Sequence, residues 1–113
     1  MKELIEQVVQ WAKDRNLIEG SNPARQIYKT MEEATELAVA IGRYEAEAWF
    51  DDAELDAQTA EIMDAIGDIT VTLIIIAAQL DLSYENCLQA AYDQIKHRKG
   101  KMVNGIFCKN EGM

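Results

Sequence analysis

Apolar residues recur along this chain at helical spacing. Leu4, Ile5, Val8, Val9 and Trp11 lie three and four positions apart, which predicts an amphipathic helix over about residues 2–15. A polar stretch containing Gly20 and Ser21 follows, and Asn22-Pro23 marks the next start. Asparagine caps a helix well, and proline at the first helical position loses nothing by lacking an N–H. The second helix, predicted over about 23–47, carries Ile27, Met31, Ala34, Leu37, Ala38 and Ile41 as one apolar stripe facing the core. The pattern breaks around Trp49–Asp52, where Asp51 or Asp52 can cap a third helix over about 52–80. From Ile62 to Ile76 that helix is apolar nearly all round, and such a helix must be covered on every side. Ser83 caps a fourth helix, predicted over about 84–99.

The tail at 100–113 has a different rhythm. Met102-Val103-Asn104-Gly105-Ile106-Phe107 reads as a β-hairpin, because Asn-Gly suits the tight turn between antiparallel strands. So short a ribbon is marginally stable alone and should pack on something. The predicted fold is therefore all-α: a single domain over 1–113, a four-helix bundle with a short C-terminal hairpin. At 113 residues one chain leaves much apolar helix surface uncovered, and the apolar third helix implies a partner subunit. Trp11, Trp49, Tyr28 and Tyr92 are read as core or interface packing rather than as ligand-stacking residues.

Charge adds a functional asymmetry. The net charge is −9, which argues against sequence-independent binding to nucleic acid. Twelve acids and one base, Arg43, fall between Glu32 and Asp68, whereas the segment from Lys96 to Lys109 holds five bases and no acid. One stretch suits cations and the other anions. Cys87 and Cys108 are too few and too far apart for a disulfide framework or a local metal knuckle. The charged N-terminus is unlike a signal peptide, and the longest uncharged run, Ile69–Leu80, is too short for a membrane span. A reduced, cytoplasmic protein is the expectation.

The acids have helical spacing. Glu32, Glu33 and Glu36 fall within one and a half turns of the second helix, in a sector away from the apolar stripe. Glu61, Asp64 and Asp68 share a face of the third. Asp64 and Asp68 stand among isoleucines and Met63, where an uncompensated carboxylate is costly. Bases are scarce nearby, so a divalent cation is the simplest partner. All-oxygen ligands without histidine or cysteine favour Mg²⁺, with Mn²⁺ next. A di-iron site needs Glu-x-x-His motifs, and the single histidine, His97, lies among Lys96, Arg98 and Lys99.

NPARQIYKTMEEATEL, DAIGDITVTLIIIAAQ and AAYDQIKHRKGKMVNGIF together resemble the MazG-type all-α nucleoside triphosphate pyrophosphohydrolases, in particular the short, phage-type single-domain forms. The resemblance spans Asn22 to Phe107. It implies a Mg²⁺-dependent enzyme that hydrolyses nucleoside triphosphates to monophosphate and pyrophosphate and works as a homodimer or tetramer. It implies Glu33, Glu36 and Asp68 as metal ligands, with Glu32 as the base or as a carboxylate beside the ligands. The family's remaining glutamate would fall at Ala65. Asp64, one turn before Asp68, is the substitute, and Glu61 is the alternative in a shifted frame. Glu32 or Glu33 would activate water, while Lys29, Lys96, Arg98, Lys99 and Lys101 would meet the phosphates. Two rival readings stand beside this one. The first keeps the bundle and changes the substrate, as in dimeric dUTPases or phosphoribosyl-ATP pyrophosphohydrolases. The second is a non-catalytic oligomeric adaptor.

Overall fold

The computed structural model describes residues 1–46 and 51–110. The predicted helix end at Glu47 and the predicted packing of Trp49 lie outside the described residues. Among them the order is α1 (Lys2–Asp14), α2 (Pro23–Ala46), α3 (Asp52–Gln79), α4 (Tyr84–Ile95), β1 (Gly100–Val103) and β2 (Ile106–Lys109). Each predicted cap is made. The Asn22 side chain accepts from the backbone N–H of Arg25 at 2.9 Å. Asp51 and Glu54 cap reciprocally at the start of α3, and Ser83 Oγ accepts from the N–H of Asn86 at 3.2 Å. These contacts satisfy donors that every helix start leaves free. The last helix stops at Ile95, four residues short of the prediction. Four consecutive basic residues and then Gly100 follow it, and the chain leaves through a turn closed by Arg98 N–H to Ile95 O at 2.9 Å. In the hairpin, Asn104 and Gly105 take positive φ of 51° and 81°, and Val103 pairs with Ile106, as the Asn-Gly signal requires.

α3 is the centre of the molecule: α2 packs antiparallel along it, α1 lies against another side, and α4 crosses its far end. Two polar contacts pin the α2–α3 register. The Thr30 and Thr72 hydroxyls hydrogen-bond at 2.8 Å, and Arg43 reaches Glu61 at 3.5 Å. Gln79 ties the end of α3 to the α1–α2 loop by donating to Leu17 O at 2.9 Å. The bundle is left open at α4, which turns from α3 through 105° where an up-and-down bundle would reverse direction. No single helix among the described residues is long and apolar enough to cross a membrane.

Two expectations about packing are corrected. The apolar stripe of α2 does not face the core: Ile27, Met31 and Ile41 are 40% exposed or more. The buried side of α2 is Gln26, Glu33 and Ala40, at heptad spacing, and α3 buries Ala65 and Thr72, with Thr72 bonded to Thr30 of α2. Of the two places expected for the aromatic residues, core or interface, the core is ruled out: Trp11, Tyr28 and Tyr92 are all substantially exposed. Met63, Ile66 and Leu73 of α3 also stand open, so the helix predicted to need cover on every side is covered only in part by its own chain.

Candidate functional site

The α2–α3 register brings the two acidic turns together. Glu36 and Arg43 of α2 and Glu61, Asp64 and Asp68 of α3 line one open groove of about 380 Å³. Its walls also include Ala40 and Ala65, both buried between the helices. Small residues there let the helices approach closely, and the acids project from either side. Glu33 sits one turn before Glu36 and is 7% exposed. One of its oxygens meets Lys29 Nζ at 3.3 Å. The other, Oε2, is buried and, among the described residues, has no hydrogen-bond partner, as is also true of Gln58 Oε1 and Gln79 Oε1; of the three it is the one carried by an acid.

Mutual repulsion marks the groove. Glu36 is raised above the ordinary carboxylate range by the Glu33 carboxylate beside it, with burial and Glu32 adding to it. Asp68 is raised by burial, and then by Asp64 and Glu33. Lys29 is raised because it donates to Glu33 and lies beside Glu32, yet one lysine does not neutralise the set. Both raised carboxyls bind protons more tightly in the folded chain than in the unfolded one. Their contribution to stability is full below the ordinary carboxylate range and is lost as pH rises through the raised folded values. Thermal melts should therefore show these two carboxyls adding to Tm as pH falls from neutrality toward the ordinary carboxylate range of about 4, with Asp68→Asn flattening that rise. A melting temperature that falls over that window would show that these carboxyls are not strained.

The predicted residues separate into two groups. Glu33, Glu36, Asp64 and Asp68, with Glu61, gather about the groove. Glu32 is directed outward, 58% exposed, and pairs with Lys29 at 3.6 Å. Lys96, Arg98, Lys99 and Lys101 lie beyond α4 and in β1, all exposed, and are not brought to the groove of their own chain. The carboxylates share a groove rather than a point: among the described residues, no group of three or more His, Cys, Asp or Glu is tight enough to hold a metal ion as it stands. The donor set nonetheless fits a hard divalent cation, being all oxygen, crowded with like charge, and including one buried oxygen that lacks a partner.

Two features of the site were not foreseen. Arg43 lies in the groove and holds Glu61, which makes Asp64 the freer carboxylate of α3. Asp68 also borders a second pocket of about 380 Å³, formed by Gln7, Val8 and Trp11 of α1 and by Val71. Trp11 is half-exposed there, with the Arg15 guanidinium 4.3 Å from its ring centroid. The spacing of Trp11 is that of the other apolar residues of α1, so periodicity alone assigns it to packing.

No protein-family model matches the chain, and no solved structure does. Over 79 residues, 70% of this chain, it is 35% identical to an uncharacterized 18.2 kDa protein of the rep–hol intergenic region of Haemophilus phage HP1 (strain HP1c1). The match spans 40% of that relative's length.

Proposed function

We propose that the chain is a Mg²⁺-dependent nucleoside triphosphate pyrophosphohydrolase of the MazG type, yielding monophosphate and pyrophosphate. One observation carries this reading: acids from two helices converge on a groove beside the buried, partnerless Glu33 oxygen. Crowding like charges together costs stability, although Asp64, expected among apolar neighbours, is exposed and Asp68 is half-buried; a cation-dependent reaction accounts for keeping them. The alanine at the position of the family glutamate is consistent with it, since Ala65 is buried at the helix contact while Asp64 lines the groove.

Glu33, Glu36, Asp64 and Asp68 would hold Mg²⁺, or Mn²⁺ in its place. The bound ion would neutralise the triphosphate and stabilise charge on the departing pyrophosphate. Glu33, or Glu32 beside it, would orient an attacking water and accept its proton. Lys29 fixes Glu33 in position. The apolar pocket beside Asp68 offers room for the remainder of the nucleotide. A homo-oligomer would cover the open faces of α2 and α3.

The test is hydrolysis of a panel of ribo- and deoxyribonucleoside triphosphates with Mg²⁺ and with EDTA, resolving phosphate from pyrophosphate. Metal-dependent release of pyrophosphate with monophosphate is the expected result. Preference for dUTP or for phosphoribosyl-ATP would keep the chemistry and change the substrate. No turnover by a folded, oligomeric protein would favour the adaptor.

A further inference from the structure

The chain keeps its basic end away from its own acidic groove. The path from Asp68 to the end of α3, and then along α4 after a 105° bend, puts Lys96 roughly 20 Å from Asp68 at 1.5 Å per residue. Among the described residues the hairpin packs on no helix, and every one of its residues is exposed, including Met102, Val103, Ile106 and Phe107. A two-stranded ribbon with apolar residues on both faces is not stable in water without something to lie on. Lys96 is engaged by Asp93 at 3.1 Å. Arg98, Lys99, Lys101 and Lys109 make no ion pair among the described residues.

The shape points to what supplies the cover. The chain exposes 8732 Å², whereas a compact monomer of 12.7 kDa exposes roughly 6,200 Å². Its radius of gyration is 17.4 Å against roughly 13 Å for a compact chain of this length. The surplus of roughly 2,500 Å² per chain, or roughly 5,000 Å² for a pair, is at the upper end of what obligate dimers bury. The surfaces left open are also complementary. The groove presents Glu36, Asp64 and Asp68, with Val39 in its wall and 54% exposed; the arm presents cations interleaved with Met102 and Phe107.

We infer that two copies of this chain exchange their C-terminal arms, the hairpin of each lying along the acidic α2–α3 groove of the other. In a two-fold assembly this contact occurs twice. Lys99 and Lys101 of one copy then face the carboxylates of the other and meet the phosphates of a nucleotide held there, so each site is complete only in the dimer. The last point rests on the proposed hydrolase reading; the exchange itself does not.

The test uses the unmodified chain. Equal amounts of ¹⁵N-labelled and unlabelled protein are unfolded, refolded together in EDTA, and joined by a zero-length carbodiimide, and the linked peptides are read by mass spectrometry. Links from Lys99 or Lys101 to Glu36, Glu61 or Asp64 are expected, with about half of them pairing one labelled and one unlabelled peptide, as random two-fold pairing requires. Arm–groove links carrying only matched labels, or no such links, would overturn the exchange. Mg²⁺ with a nucleoside triphosphate should lower the yield of these links. Mixed-label links that nucleotide leaves unchanged would uphold the exchange and remove the hydrolase reading instead.

Discussion

Glu36→Gln and Asp68→Asn are each expected to lower pyrophosphate release by on the order of 10³-fold while leaving far-UV circular dichroism unchanged. Both changes keep size and shape and remove one negative charge. Glu36 is exposed and Asp68 is half-buried, and neither holds the helices together. That work falls to Thr30–Thr72 and to the alanines between α2 and α3. Each substitution also relieves the repulsion that raises these carboxyls, so stability should hold or rise. Loss of activity without loss of fold is the signature of a charge kept for chemistry. Glu45→Gln, on the exposed end of the same helix, serves as the control and should behave as the unmodified chain. Turnover retained in both groove variants would remove the groove as the site.

The legible parts of this fold were those set by local chemistry. Asn22-Pro23, Asp51 or Asp52, and Ser83 announce their helix starts because capping needs particular side chains at particular offsets, and Asn104-Gly105 announces its turn because few residues accept positive φ. The spacing of Glu36, Asp64 and Asp68 likewise placed them on helix faces. What it could not say is which faces meet. α2 has an apolar stripe, and the natural inference that it faces the core fails because the contact with α3 runs through Gln26, Thr30, Glu33 and Ala40. A stripe signals a buried face, but not whether the cover comes from the same chain or from another. The same ambiguity applies to α3, which was read as needing cover on every side and is covered only in part by its own chain. The basic residues at Lys96–Lys101 were legible as a cluster, while their separation from the groove follows from the bend between α3 and α4, which periodicity does not encode.

Glu33→Gln should separate stability from function most sharply. In the folded chain Glu33 is buried beside Glu36, near Asp68, and one of its oxygens has no partner. An unsatisfied buried polar atom costs about 1–3 kcal/mol. The Lys29 contact, to a side chain 52% exposed, returns little because water and salt screen it. A neutral amide of the same shape removes the repulsion and can donate a hydrogen bond to Glu36. The balance favours the variant by about 1 kcal/mol, which corresponds to a rise in Tm of about 4–8 °C for a small domain. In the presence of Mg²⁺ and a nucleoside triphosphate the order should reverse. The unmodified protein gains stability by binding, and the variant, having lost a ligand oxygen, gains little. Two melting curves for each protein, with and without metal and nucleotide, are enough to see the crossing. A variant that is less stable in both conditions would mean that Glu33 is an ordinary structural partner of Lys29, and the case for a cation at the groove would lose its main support.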